Sequence, residues 1–188
     1  MARARDYFQQ SIAADARHAR AYAALADYYS LTDSISPEQA LLRARTFAQK
    51  ALELNDGLAD AHVSLAYVYY YADWNWGEAE TQFLRAIEID PNHAQARYWY
   101  GRFLGTMGRY QEATAQIERA LQLDPLSNAV LDSAAMQAFF LRRFDKMIEH
   151  ANRILELEPN DYRAYEHLTV AYLFTGRLPE ALSAAQRS

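Results

Sequence analysis

Few side chains in this sequence can do proton, metal or nucleophilic chemistry. The five histidines are His18, His62, His93, His150 and His167. Two of them follow a glutamate, Glu149–His150 and Glu166–His167, a combination that serves acid–base work when both groups reach one substrate atom. Adjacent residues on a helix point apart, so neither pair converges. No histidines show the HExxH spacing of a zinc helix. There is no cysteine, which removes disulfides, thiolate nucleophiles and Cys-ligated zinc or iron–sulfur centres. Gly101, Gly105 and Gly108 resemble a phosphate loop in spacing only. They lack the strand–turn–helix setting and the Walker-type lysine, and no G-x-S-x-G elbow occurs. The reading is a non-catalytic chain with no metal site and no cofactor. Its histidines are expected on the surface or partly buried.

The remaining chemistry is aromatic. The chain holds 14 Tyr, 8 Phe and 3 Trp. They are densest in "YYYADWNW", from Tyr69 to Trp76. Tyrosine, tryptophan and arginine are the usual anchors of protein interfaces, but the same rings also clasp helices together. Which role applies depends on the elements that carry them.

Those elements are helical. Ala, Leu, Glu, Gln and Arg are common, with only 6 Gly and 5 Pro. Tyr22, Leu25, Ala26 and Tyr29 step by three, one and three, which is one helix face and no strand pattern. Net charge is −5, with 23% charged and 51% hydrophobic residues. This is a globular balance that argues against direct nucleic-acid binding by this segment. No apolar run approaches a membrane span, and "MARARDYFQQ" has no signal-peptide core. The expectation is no membrane insertion and a cytoplasmic location, compatible with an anchor elsewhere in a bacterial parent.

The helices recur with a period. "ALELNDGLADAH", "AIEIDPNHAQAR", "ALQLDPLSNAVL" and "ILELEPNDYRAY" begin at Ala51, Ala86, Ala120 and Ile154. Pro91, Pro125 and Pro159 are spaced by 34 residues throughout. Each unit reads as a first helix, a short turn, a second helix and an acidic residue followed by proline, which stops the helix. Ala79 and Ala86, or Ala113 and Ala120, lie two turns apart and allow close helix approach.

In "AQARYWYGRFLGTMGRYQEATAQIERALQLDP", Tyr100-Gly101, Gly108-Arg109-Tyr110, Ala113, Ile117, Ala120 and Pro125 recur in phase with the other units. This resembles the tetratricopeptide repeat (TPR) family over nearly the whole chain. The resemblance implies an all-α fold, a right-handed superhelical solenoid of antiparallel helix pairs. It implies about five repeats plus a leading half-repeat helix. A single TPR domain would span 1–188, with a leading helix within 2–18 and repeats at about 19–58, 59–93, 94–127, 128–161 and 162–188, the last truncated. Helices are placed at about 2–15, 19–31, 37–54, 59–72, 76–89, 94–107, 110–123, 128–141, 144–157, 162–175 and 178–188. Phe83, Leu84 and Ile87 should need the next helix for burial. Met147 and Ile154 replace the usual small residues and should widen or rotate repeat four. In the aromatic run, Tyr69 should face its own repeat, Trp76 the turn, and Trp74 an extra loop residue, making mostly a hairpin clasp. Asp73 is a candidate partner for an indole N–H.

The resemblance further implies that the first helix of each pair lines a concave face. Tyr67, Tyr70, Tyr71, Tyr98, Arg102, Asp132, Met136, Phe139, Phe140 and Phe174 fall on that face. The Lys/Asn set that clamps a C-terminal carboxylate in chaperone-binding relatives is missing from it. The functional expectation is a scaffold that binds a peptide or protein in an aromatic groove. The wording of the repeats resembles TPR segments of large bacterial regulators, so the chain reads as a docking or sensory segment cut from a longer protein. Two alternatives are a homodimer through an uncapped end and a small-ligand sensor.

Overall fold

A computed structural model describes residues 2–188. It shows eleven helices and no strand among the described residues. The chain forms two compact units, Met1–Tyr100 and Gly101–Ser188. The first holds α1 (Ala2–Ala14), α2 (Ala19–Leu31), α3 (Pro37–Leu54), α4 (Ala59–Tyr71), α5 (Trp76–Ile89) and the start of α6 (Ala94–Thr106). The second holds the rest of α6, then α7 (Tyr110–Leu123), α8 (Asn128–Phe140), α9 (Phe144–Leu157), α10 (Tyr162–Phe174) and α11 (Leu178–Ala185). Within each unit neighbouring helices pack as pairs and pairs pack on each other: α2 lies against α3 and α4, and α10 against α9, α11 and α8. The helix starts agree with the sequence reading, and most first helices end one residue early.

Local chemistry sets the boundaries. Ser36 Oγ accepts from Gln39 N (3.4 Å), with Pro37 and Glu38 in the first turn of α3. Asn75 and Asp161 cap α5 and α10 in the same way. Between pairs, Asp15, Asn55 and Asp90 each accept the backbone N–H two residues on, at 2.8 to 3.0 Å. Within pairs, the residue two before the second helix takes a left-handed backbone: Trp74 (φ 53), Gly108 (φ 75), Arg142 (φ 56) and Gly176 (φ 75). These four are spaced by 34 residues. Trp74 therefore fills the recurrent turn position rather than lying loosely on an inserted residue.

The seams are built from small residues against large ones. Ala44, Ala48, Ala51, Ala79, Ala86, Ala113 and Ala120 are fully buried. A Cβ on Gly101 would meet Ile117 at 2.7 Å, so α6 and α7 touch through a bare backbone. Repeat four exchanges the sizes. Phe83/Ala86 and Ile117/Ala120 become Ala151/Ile154, and Met147 is buried as well. The exchange of Ile and Ala within that pair nearly conserves volume, which cores tolerate best, while Met147 puts a larger side chain where the earlier repeats have Ala79 and Ala113.

Four expectations are corrected. Leu84 is exposed beside fully buried Phe83, because adjacent helix residues diverge by a third of a turn. Tyr69 packs with Ala26, Ala48 and Leu65, facing the preceding pair, and Arg45 sits over its ring at 5.8 Å. Asp73 Oδ1 accepts from Arg45 Nη2 (2.6 Å), so its carboxylate ties the turn to α3 rather than to an indole. Trp74 is 72% exposed and Trp76 also faces solvent, so the clasp is weaker than the sequence suggests.

The turn geometry yields a paired expectation. No neighbour lies near an added Cβ at Gly108, so Gly108→Ala isolates the backbone cost and should lower stability by about 1 kcal/mol. Trp74→Gly should raise it by up to about 1 kcal/mol. Urea unfolding measures both, and unchanged midpoints in both variants would refute the assignment.

Candidate functional site

In the first unit, α4 and α6 bring rings together. Tyr67 meets Tyr71 at 4.4 Å and the edge of Trp99 at 4.8 Å between centroids. Tyr70 lies 4.2 Å from Tyr71, and Tyr98 lies 4.8 Å from Trp99. Tyr67, Tyr70 and Tyr98 are half-buried, Tyr71 is exposed, and Trp99 is buried. Trp99 was missed from sequence. Its signal was its place inside the run Tyr98-Trp99-Tyr100, but one residue off the expected face. Tyr67 also borders a cleft of ≈ 410 Å³ with Tyr29, Leu41 and Pro37.

In the second unit, α8 and α10 build another aromatic group. Phe139 is its centre, with Phe140 at 5.6 Å, Phe174 at 5.7 Å and Phe144 at 6.5 Å. Phe144 stacks on Phe174 (5.1 Å), and Tyr110 stacks on Phe140 (4.7 Å). Solvent still reaches these rings: Phe174 is 54% exposed and Phe140 45%. Two clefts adjoin them. One, of ≈ 200 Å³, is bordered by Arg102, Gly105, Asp132, Met136 and Phe140. The other, of ≈ 400 Å³, is bordered by Met136, Phe139, Glu166, His167 and Val170. Met136 belongs to both. The ten expected residues thus form two groups: Tyr67, Tyr70, Tyr71 and Tyr98 in the first unit, and Arg102, Asp132, Met136, Phe139, Phe140 and Phe174 in the second. The turn aromatics Tyr110 and Phe144 join the second group, because stacking depends on where the hairpin turns bring them.

Polar links position the first helices. Gln95 Nε2 donates to Asp27 Oδ1 (2.7 Å), bridging 68 residues of sequence. His93 Nε2 meets Asp60 Oδ1 (2.8 Å), and His167 Nε2 meets Asp132 Oδ1 (2.9 Å). His62 is buried and held by Gln82 Oε1 (2.6 Å) and the carbonyl of Asp56 (2.9 Å). His62 and His167 are thus more deeply buried than the sequence reading expected. Burial raises the Asp27 carboxyl above its ordinary range, opposed by the Gln95 hydrogen bond. Burial also works against the charged form of Asp132, but the His167 hydrogen bond and the charges of His167, Arg163 and Arg102 prevail and lower its pKa.

Paired, stacked helices define an all-α helical-repeat protein. Residues 83–115 match the family model described as tetratricopeptide repeat. The chain carries tetratricopeptide repeats and has the all-α fold of TPR solenoids. It is 28% identical over 120 residues to the type IV pilus assembly protein PilF of Pseudomonas aeruginosa, covering 63% of this chain and 47% of PilF. It is also 28% identical over 107 residues to the tetratricopeptide repeat-containing protein trd-1 of Caenorhabditis elegans, covering 56% and 14%. The chain spans less than half the length of these curated relatives. Among solved structures, P. aeruginosa PilF aligns with TM-score 0.77 at 23% identity, over 90% of this chain and 76% of that one. The protein YrrB, described as a TPR protein with an unusual peptide-binding site, aligns with TM-score 0.69 at 22% identity, over 96% and 89%. MamA aligns with TM-score 0.71 at 18% identity, over 90% and 88%. No helix among the described residues is long and apolar enough to cross a membrane.

The Asp60–His93 link carries a pH signature. The His93 hydrogen bond, with the charges of His93 and Arg20, lowers the Asp60 pKa against burial. The same bond raises the His93 pKa against burial. The carboxylate contribution is present above about pH 3.9 and lost as pH falls through the lowered value. The imidazolium contribution is present below about pH 6.5 and lost as pH rises through the raised value. Asp60→Asn should therefore cost more stability at about pH 5.5 than at about pH 9, by less than about 1 kcal/mol because Asp60 is exposed. Equal cost at both pH values in urea titrations would exclude the charged pair.

Proposed function

We propose that this chain is a protein-interaction segment that takes an extended or helical peptide on the aromatic faces of its first helices. The observation carrying this reading is that Phe140, Phe174 and Tyr71 remain open to solvent while the first two stack on, and the third tilts against, partly buried neighbours. Rings already held in place lose little freedom when a partner lands on them, so burying them yields net affinity. Arg102 and Asp132 beside Met136 and Phe140 supply polar groups that set the orientation of a bound backbone. His167 keeps the Asp132 carboxylate in place. A peptide ligand agrees with the binding described for the fold neighbour YrrB. The resemblance of the repeats to bacterial regulators supports a docking or sensory role within a longer protein.

The test is selection of binding peptides from a displayed library, followed by calorimetry. Phe140→Ala with Phe174→Ala should weaken a selected peptide by about 2 kcal/mol or more, roughly 30-fold, with the helical circular dichroism retained. Tyr67→Ala with Tyr71→Ala should act likewise on peptides that use the first unit. Undiminished capture by both double variants would remove the aromatic-face reading.

A second reading, self-association, is favoured by one observation. Leu178 and Leu182 lie one turn apart on α11 and are 62% and 63% exposed. Sedimentation should then show a dimer that Leu178→Lys with Leu182→Lys abolishes. A monomer at all concentrations would dismiss it.

A further inference from the structure

On the side of α8 turned away from the aromatic group lies a smaller cavity of ≈ 110 Å³. Asp132, Met136, Phe139 and Phe140 occupy one side of this helix. Ala134, Gln137, Ala138 and Leu141 fall on the other at 100° per residue, and these four line the cavity. Its floor is apolar and buried, from Ile117, Ala134 and Ala138. Its rim is charged and exposed, from Glu118, Arg143 and Lys146.

Four buried side-chain atoms among the described residues have no hydrogen-bond partner: Ser64 Oγ, Asn128 Oδ1, Gln137 Oε1 and His150 Nδ1. Two of these four residues, Gln137 and His150, line this one cavity. Gln137 is only 5% exposed. Its side chain has room because Gly105 lies opposite: a Cβ there would stand 2.5 Å from Gln137 Nε2. Buried polar groups are almost always paired, so two orphans bordering one space mark a place built to receive a polar group.

We infer that this cavity receives a primary carboxamide, the group that ends an asparagine or glutamine side chain and also occurs in small free amides. The amide N–H donates to Gln137 Oε1, and its carbonyl oxygen accepts from His150 Nδ1–H in the matching neutral tautomer. The volume matches the share of about four waters, which suits a group of four or five heavy atoms. The apolar floor takes the methylene stem. A carboxylate would set an oxygen against Gln137 Oε1 with no proton between them. An ammonium would meet Arg143 and Lys146 at the rim. Burial lowers the His150 pKa, with Arg153 and Lys146 acting in the same sense and Glu149 and Glu118 opposing it, and the net direction favours the neutral ring. Gln137 also borders the cleft that holds Arg102, Gly105, Asp132, Met136 and Phe140, and what sets this cavity apart is Ile117, Ala138 and His150, which that cleft lacks.

The test is nuclear magnetic resonance titration of the full chain with propionamide, propionate and propylammonium. Propionamide should give saturable shifts at the Gln137 side-chain amide and the His150 ring, with millimolar affinity. The two ions should bind at least about tenfold more weakly, propionate because it sets an oxygen against Gln137 Oε1, and propylammonium because Arg143 and Lys146 outnumber Glu118 at the rim. Gln137→Met and, separately, His150→Phe should each weaken propionamide by roughly tenfold. Having two variants keeps the test open if one misfolds. A capped peptide, acetyl-Gly-Gln-Gly-N-methylamide, identifies the source. Tighter binding than propionamide indicates a side chain of a protein partner, whereas exclusion of the peptide indicates a free amide. Non-saturating shifts with propionamide, equal response to all three probes, or a crystal soak in which ordered waters stay in the cavity would each overturn the assignment.

Discussion

Close contact through side chains no larger than a methyl group is the constraint on which this protein rests. Ala44, Ala48, Ala79, Ala86, Ala113 and Ala120 are fully buried, and Gly101 removes even the methyl where α6 meets Ile117. A helix so lined has little apolar area of its own to hide. Its stability comes from the larger residue the same helix carries between or beside its alanines, Phe83, Ile117 or Ile154, and from the neighbouring helices it packs on. This makes each hairpin dependent on its neighbours and gives roughly additive repeat and interface energies. Repeat four shows how flexible the rule is: large and small residues trade places, and the seam remains filled.

Close packing leaves the outward sides of the first helices free for other work. Hydrogen bonds between side chains one or two repeats apart, Asp60 with His93, Asp132 with His167 and Asp27 with Gln95, tie those helices to each other. The acceptors are carboxylates, and the Asp132–His167 and Asp27–Gln95 bonds are partly buried, so these two are stronger than ordinary surface pairs, whereas Asp60–His93 is exposed. They also fix where the rings stand. On α8, Phe139 meets Phe144 and Phe174 and Phe140 stacks on Tyr110, while Tyr67 and Tyr71 on α4 meet the edge of Trp99. Aromatic faces held in this way are suited to binding, because their ordering precedes the partner.

The same helix can serve two surfaces. On α8, Met136 and Phe140 border the cleft with Arg102, Ala134 and Ala138 wall the cavity with His150, and Gln137 borders both. A helix of 3.6 residues per turn presents both without conflict. The helix that carries exposed Phe140 thus also walls the small cavity, and the bare backbone of Gly105 lets the glutamine fold into its place.

The amino-acid sequence by itself determined the helices, their pairing and nearly every boundary. Proline at Pro91, Pro125 and Pro159, capping by Ser36 and Asp161, and the 34-residue period all act through local backbone chemistry, which needs no distant partner. It also placed Tyr67, Tyr98, Phe139 and their companions on first-helix faces, since periodicity along one helix is a local property. Only the tertiary structure decided which rings are open and which are covered. Trp99 is buried, Trp74 and Leu84 are exposed, and Tyr69 turns toward the preceding pair, because burial depends on residues one or two repeats away. The grouping of Tyr110 and Phe144 with Phe139, and of Gln137 with His150, arises where separate helices meet, a relation that spacing along one chain does not encode.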